Sequence, residues 1–135
     1  MKTLAIDFDD TIAEKGEEWP DIGLPKPGAV EAIRALKAAG YEIVIHSCRT
    51  SRGEFLARDV AQHATAIRAF MAANKIPFDH IWMEEGKPIA WAYIDDRGVR
   101  YEGDADAWTS IAYRLIDGDL AAKEIVARKA GLPRA

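Results

Sequence analysis

The sequence lacks the features that mark secreted and membrane proteins. Its 135 residues include a single cysteine, Cys48, so the chain cannot form an internal disulfide, and a reducing compartment fits. The apolar run at 43–45 is far shorter than the roughly 20 residues that span a bilayer. The N-terminal segment turns acidic at position 7, where a signal peptide needs its apolar region. We therefore expect a cytoplasmic protein without a membrane partner.

A surplus of basic residues is also missing. Lys and Arg number 18 against 22 Asp and Glu, and the formal net charge is −4. Proteins that bind duplex DNA or an anionic membrane normally present a basic face. The balance argues against both kinds of partner, although it leaves room for a small local basic site.

Histidine and cysteine give no sign of a nitrogen- or sulfur-ligated metal site. His46, His63 and His80 lack the spacing of metal ligands. Cys48 has no His or Asn partner pattern of the kind that activates a thiol nucleophile. We expect these side chains to be structural or exposed.

Strand-like and helix-like stretches alternate along the chain. This alternation is typical of a parallel sheet covered by helices on both faces. The sequence therefore predicts a single Rossmann-like α/β/α domain over 1–135, with a mainly parallel sheet of about five strands. The strands are predicted at 4–6, 41–45, 80–83, 92–94 and 99–101, and the helices at 27–40, 55–74 and, as C-terminal helices, within 104–131.

The segment at 14–27 has the composition of a loop, with Glu, Lys, Gly and three prolines. We expect residues 14–26 to form a flap beside the carboxyl ends of the strands. Trp19 lies in this flap, where it could stack on a substrate or pack within the loop.

Acidic residues follow two of the predicted strands at the point where each strand ends. Asp7, Asp9 and Asp10 come after the first strand, and Asp95 and Asp96 after a later one. Ligands of open parallel sheets bind at these strand ends. If the two strands are neighbours, the carboxylates repel one another and some must protonate. Mg²⁺ would relieve the repulsion, because it is a hard cation that prefers oxygen ligands.

These residues resemble three motifs of the haloacid dehalogenase superfamily of phosphotransferases. The motifs are residues 7–11 after the first strand, Ser47 after the second, and residues 95–96 after a later strand. The resemblance covers residues 3–101. It implies that Asp7 is a nucleophile that becomes an aspartyl phosphate, and that Asp9 serves as general acid and then as general base.

The same resemblance implies a magnesium site and a phosphate site. Asp7, Asp95 and the backbone carbonyl of Asp9 would hold Mg²⁺, with Asp96 as a helper or outer ligand. Ser47 would hydrogen-bond the phosphoryl group. The implied activity is that of a Mg²⁺-dependent phosphomonoester hydrolase.

A lysine completes the family's site, and Lys87 is the best match here. Asp95 follows Lys87 by eight positions, too few for a full helix, so residues 88–91 would have to form a compact turn. Arg49, expected to bind phosphate, and Arg97 lie at strand ends and are substitutes for this cation.

The intervals between the motifs leave no room for the cap domain of larger superfamily members. The gap between Thr11 and Ser47 holds 35 residues, most of them in the predicted helix and strand. Relatives without a cap often act on phosphorylated macromolecules or use a neighbouring subunit as a lid. The expected partner is a phosphorylated small molecule or a polynucleotide end, and a homo-oligomer fits.

Two alternatives stay open at this stage. Residues 47–49 and 94–97 also resemble the phosphatase domain of polynucleotide kinase-phosphatases, which makes a nucleic-acid 3′-phosphate a candidate substrate. The net acidity does not decide against such a substrate. Without the five motif carboxylates, the sequence has 18 basic and 17 acidic residues. The other alternative is a receiver-like signalling domain, although Ser47 stands after the second strand and no Asp directly follows Met83.

Overall fold

The computed structural model describes residues 2–51, 55–98 and 103–116. The chain forms two compact units, residues 1–97 and 98–135. The first contains the sheet and every predicted site residue. In chain order its elements are β1 (Thr3–Ile6), β2 (Ala13–Lys15), β3 (Ile22–Pro25), α1 (Ala29–Ala38), β4 (Glu42–Ile45), a 3₁₀ turn (Cys48–Thr50), α2 (Ala57–Ala73), β5 (His80–Ile81) and β6 (Ala92–Ile94).

Four parallel strands form the central sheet in the order β5–β4–β1–β6. Strand β1 lies in the interior, with Ile6 paired to Ile45 of β4 on one side and to Ile94 of β6 on the other. After their first residues, Thr3 and Glu42, both β1 and β4 are apolar and buried. Such near-continuous apolar runs are typical of parallel strands that are covered on both faces.

The two helices of the first unit each bury one stripe of side chains. Along α2 the buried residues recur at intervals of three and four, the spacing of a single helical face. Helix α1 buries Ile33, and Val30 and Leu36 pack against the same core. The buried residues of α2 are Val60, Ala64, Ile67 and Met71.

Asp79 fixes the start of β5 against β4 and α1. Its Oδ2 accepts a hydrogen bond from the Ile43 backbone N–H at 2.8 Å, and its Oδ1 lies 2.7 Å from the Lys37 ammonium. The bond from Ile43, followed by the one from Lys37, holds the pKa of Asp79 below its usual value. This anchor sets the position of the strand that follows.

The structure confirms the predicted mainly parallel α/β fold and corrects one segment. The predicted loop at 14–27 contains an antiparallel hairpin of β2 and β3, called here the hairpin (13–25), with a register irregularity between Ala13 and Lys15. Pro25 is compatible with this pairing because it lies at the end of a strand in a two-stranded sheet. The strands approach closely at Gly23, where a Cβ atom would lie 2.7 Å from the Glu14 carbonyl oxygen.

Other boundaries differ by a few residues. The predicted strand at 80–83 is limited to β5, and α1 and α2 are each slightly shorter than predicted. In the second unit, residues 105–116 are helical, as expected for part of 104–131. The predicted strand at 99–101 and the C-terminal part of 104–131 lie outside the described residues. Within the described ranges, no helix has the length and apolar character needed to cross a membrane.

Candidate active site

A cleft of about 340 Å³ brings together segments from several parts of the first unit. Its walls come from the loop after β1, the hairpin (13–25), the turn after β4 and the loop after β6. The lining residues are Asp7, Asp9, Asp10, Lys15, Trp19, Cys48, Asp96 and Arg97.

The sheet register explains why the two acidic motifs meet. The backbone N–H of Asp7 donates to the carbonyl oxygen of Ile94 at 2.9 Å, which continues the pairing of β1 with β6 one residue beyond the strands. The two strands are therefore neighbours, which is the condition under which the two acidic motifs were expected to meet. Ligands of such sheets bind at this carboxyl edge.

Asp7 is half-buried at the floor of the cleft and has a pKa raised to about 6. Burial is the largest cause, and the charge of Asp96, a hydrogen bond with its carboxyl group and the charge of Asp9 act in the same direction. The backbone N–H of Phe8 opposes them. Thr11 Oγ1 also donates to Asp7 Oδ2 at 3.4 Å. Asp7 and Asp96 thus form a carboxyl pair that a proton or a cation must neutralise.

The raised pKa predicts a pH-dependent effect of Asp7→Asn on stability. Folded protein holds this proton up to a pH of about 6, whereas the usual value is 3.8, so stability falls as the pH rises through that interval. Asn removes the charged form. Allowing for partial solvent exposure, we expect the free energy of unfolding to rise by about 1 kcal/mol at neutral pH.

Urea unfolding without divalent cations checks this expectation. The gain of the Asp7→Asn variant over the wild type should disappear near pH 4, where both side chains are neutral. An equal gain at both pH values would show that the charge of Asp7 is not its cause.

Asp9 forms a bidentate ion pair with Arg49. Arg49 Nε donates to Asp9 Oδ2 at 2.8 Å, and Nη2 donates to Oδ1 at 2.9 Å. The Arg49 side chain is only 1% exposed, and that of Asp9 is 15% exposed. Paired N–H groups of this kind fix the plane and direction of a carboxylate. Asp9 is therefore held in one orientation beside Asp7.

The guanidinium of Arg49 also binds the hairpin (13–25). Nη1 donates to the carbonyl oxygen of Pro20 at 2.6 Å, and Nη2 donates to that of Asp21 at 3.4 Å. The Trp19 ring lies over the guanidinium, with its centroid 4.3 Å from Cζ. Four of the five guanidinium N–H groups are directed at Asp9 and the hairpin, and the phosphate contact of Arg49 stays a prediction.

Ser47 follows β4 and is 5% exposed. It caps the 3₁₀ turn, and its Oγ accepts a hydrogen bond from the Arg49 backbone N–H at 3.1 Å. Within the same turn, Thr50 Oγ1 donates to the Trp82 carbonyl oxygen at 2.8 Å. The turn is thereby fixed beside the cleft. The contact of Ser47 with a phosphoryl group remains a prediction.

The two adjacent carboxylates after β6 have different surroundings. The carboxyl group of Asp96 contacts Asp7 and lines the cleft. Asp95 Oδ1 accepts a hydrogen bond from the Arg97 backbone N–H at 3.0 Å. The carboxyl group of Asp96 is thus in contact with Asp7, and the assignment of Asp95 as a magnesium ligand with Asp96 as helper stays a prediction.

Lys87 lies at the same edge of the sheet, on the side of His46 and Asp95. Burial, and then the positive charge of Lys87, lower the pKa of His46 below its usual value, while the charge of Asp95 opposes them. The Lys87 ammonium also lies 5.4 Å from the centroid of the Tyr93 ring. Lys87 thus lies within electrostatic range of His46, the residue that follows β4, and its contact with phosphate stays a prediction.

Trp19 packs within an aromatic cluster and still borders the cleft. Its ring stacks on Phe55 with a centroid distance of 6.2 Å, and His63 lies 5.7 Å away. It remains 57% exposed. Both sequence interpretations of Trp19, loop packing and a place beside the substrate, are compatible with this position.

The carboxylate groups in the cleft could supply some of the oxygen ligands that Mg²⁺ needs. Among the residues that the structure describes, no group of three or more His, Cys, Asp or Glu side chains is arranged to hold a metal. Asp7 and Asp96 face each other, Asp9 is paired with Arg49, and one oxygen of Asp95 accepts a hydrogen bond from the Arg97 backbone N–H. Two carboxylates suffice for Mg²⁺, which commonly takes one or two in addition to waters and substrate phosphate.

Comparisons with known proteins identify the fold through solved structures. No protein-family model matches the chain, and no curated protein sequence matches it. A conserved protein from Bacteroides thetaiotaomicron is 26% identical, with a TM-score of 0.51 over 87% of this chain and 91% of its own. A protein from Vibrio cholerae is 26% identical, with a TM-score of 0.52 over 84% of this chain and 98% of its own.

A third structure is a D,D-heptose 1.7-bisphosphate phosphatase from B. bronchiseptica complexed with magnesium and phosphate. It is 20% identical, with a TM-score of 0.43 over 85% of this chain and 64% of its own. The likeness to the Bacteroides and Vibrio proteins extends over nearly the whole of each chain, so this chain shares their α/β fold.

Proposed function

We propose that the protein is a Mg²⁺-dependent phosphomonoester hydrolase of the haloacid dehalogenase type. The observation that carries the proposal is the pairing of Asp7 with Asp96 at the carboxyl ends of adjacent parallel strands. Asp9, two residues farther along, is fixed beside them by Arg49. The residues proposed as nucleophile, cation-binding partner and proton-transfer group therefore line one cleft.

The proposed reaction has two steps at phosphorus. A carboxylate oxygen of Asp7 attacks the phosphoryl group, the bond to the leaving oxygen breaks, and Asp9 gives that oxygen a proton. Water then attacks the aspartyl phosphate, Asp9 takes the proton, and inorganic phosphate leaves with the Asp7 carboxylate restored. Each proton that Asp9 gives is thus regained in the second step.

The charge of the phosphoryl group is offset by groups around the floor of the cleft. In this proposal, Asp7 and Asp96 would hold Mg²⁺, and the cation would supply Lewis-acid neutralisation of the phosphoryl charge. Ser47 and Lys87 are the proposed protein contacts of the phosphoryl oxygens. The raised pKa of Asp7 supports the cation, because its carboxylate is destabilised by burial and by a second carboxyl group.

Turnover with and without the metal tests the function. We expect Mg²⁺-dependent phosphate release from p-nitrophenyl phosphate and from at least one member of a panel of sugar phosphates, mononucleotides and 3′-phosphorylated oligonucleotides. EDTA should abolish it. Repeated turnover distinguishes a phosphatase from a receiver-like domain, which would hold the phosphoryl group. Failure of every substrate would reject the proposal.

Thermal unfolding gives a second measurement that does not depend on activity. Mg²⁺ should raise the melting temperature of the wild type, because a ligand that binds the folded state stabilises it. Asp96→Asn should reduce this rise. Asp59→Asn is the matched control, since Asp59 lies on α2 beside Arg58 and does not line the cleft; an equal Mg²⁺ effect in both variants would contradict the assignment of Asp96.

A further inference from the structure

The buried side chain of Arg49 connects its own turn after β4 with the loop after β1 and with the hairpin (13–25). Its guanidinium binds both oxygens of Asp9, the carbonyl oxygens of Pro20 and Asp21, and the face of Trp19. Its side chain is 1% exposed, so these contacts are shielded from water. Asp9 belongs to the loop after β1, whereas the other three residues belong to the hairpin (13–25).

We propose that Arg49 is a positioning residue that couples the hairpin (13–25) to the proton-transfer group Asp9. With the hairpin in place, Arg49 directs the open lone pairs of Asp9 toward the leaving oxygen; when the hairpin separates, that orientation is lost. The inference rests on the proposed function and extends it, because it assigns to the hairpin a part in proton transfer as well as in covering the cleft.

The geometry of the ion pair leaves one lone-pair site open on each oxygen of Asp9. Each carboxylate oxygen has two lone-pair sites. Arg49 takes one site on Oδ1 and one on Oδ2. The second sites remain, and their direction is set by the plane that the guanidinium imposes. Arg49 therefore determines where Asp9 can deliver a proton without meeting the substrate itself.

The hairpin contacts decide whether Arg49 can impose that plane. Pro20 and Asp21 supply carbonyl acceptors, and the Trp19 ring covers the guanidinium. A cation over an aromatic face is attracted more strongly where water is excluded. Without the hairpin, the guanidinium would gain water and lose these fixed partners. The position of the hairpin and the orientation of Asp9 are thus physically linked.

The test compares substrates with good and poor leaving groups in Arg49→Lys. Lys keeps the positive charge and cannot make the two parallel N–H bonds. A good leaving group such as p-nitrophenolate needs little protonation, whereas an alkoxide needs it fully. We expect kcat/KM, which reports events up to leaving-group release, to fall about 10- to 100-fold for an alkyl phosphate. For p-nitrophenyl phosphate it should fall less than about 3-fold.

Arg34→Lys is the matched control, because Arg34 Nε donates to the Lys75 carbonyl oxygen at an exposed site away from the cleft. It should leave the ratio of the two kcat/KM values unchanged. Equal losses for both substrates in Arg49→Lys would overturn the inference while the proposed function stands. A wild type inactive on both substrates would instead reject the proposed function.

Trp19→Leu provides a second variant if Arg49→Lys does not fold. It removes the ring that covers the guanidinium and leaves Arg49 and Asp9 in the chain. We expect kcat/KM for the alkyl phosphate to fall about 3- to 10-fold relative to kcat/KM for p-nitrophenyl phosphate. Adding Trp19→Leu to Asp9→Asn should not change this ratio further. A folded Trp19→Leu protein with the wild-type ratio would overturn the coupling.

Discussion

Replacing Asp7 with Asn should lower the rate of phosphate release by on the order of 10⁴-fold or more, as expected for loss of a nucleophile. The amide cannot form the aspartyl phosphate, so neither step of the proposed reaction can occur. The chain should remain folded, because Asn is nearly the same size and the half-buried carboxyl group of Asp7 is itself destabilised. Steady-state release of phosphate from p-nitrophenyl phosphate measures the effect.

Asp10→Asn is the matched control for this prediction. Asp10 lines the same cleft and lies 3.2 Å from the Lys15 ammonium. Its φ is 60°, a left-handed conformation that Asn adopts more readily than most residues. The Asp10→Asn variant should keep activity within about 10-fold of the wild type, since its ion pairs are partly exposed. If Asp7→Asn lost no more activity than Asp10→Asn, Asp7 would not be the nucleophile.

Asp9→Asn should lower kcat/KM for an alkyl phosphate by about 10²- to 10⁴-fold, the usual contribution of a general acid. For p-nitrophenyl phosphate the first step should persist, because its leaving group departs without a proton. The second step should then be slow, because water has lost its base. We expect a burst of p-nitrophenolate that matches the enzyme concentration, followed by slow turnover.

Rapid-mixing kinetics and mass spectrometry of the quenched protein measure this outcome. A phosphorylated Asp7 should accumulate in the Asp9→Asn variant and be absent from the Asp7→Asn, Asp9→Asn double variant. If alkyl and aryl phosphates lost kcat/KM equally and no burst appeared, Asp9 would have no part in proton transfer.

The strands could be predicted because each depends on a short-range apolar pattern, whereas the meeting of the acidic motifs was predicted only on the condition that their two strands are neighbours. Apolar strands that end in carboxylates define the carboxyl edge of a parallel sheet, and the pairing of Ile6 with Ile94 then brings the motifs together. The hairpin (13–25) could not be predicted in the same way. Its strands are short, its prolines are typical of loops, and its pairing is visible only in three dimensions.

The partners of individual side chains were the least predictable part of the site. Adjacent Asp95 and Asp96 differ only in the direction that the turn gives each side chain, and the hydrogen bond to Asp95 from the Arg97 backbone N–H belongs to that turn. Arg49 follows a strand, as a phosphate-binding residue would. The partners that the structure gives it, Asp9 and the hairpin, come from segments far away in sequence.

Strand β1 lies between two halves of the candidate site, and amino-acid substitutions could alter each half separately. On the side of β6, Asp96 contacts Asp7, and this carboxyl pair favours a cation. On the side of β4, Arg49 binds both Asp9 and the hairpin. If the proposed reaction holds, a substitution in the hairpin would alter the fit and protonation of the departing alcohol while leaving the Asp7–Asp96 pair intact. Selectivity for new phosphate esters could therefore evolve on one side of a single strand without rebuilding the phosphoryl-transfer chemistry on the other.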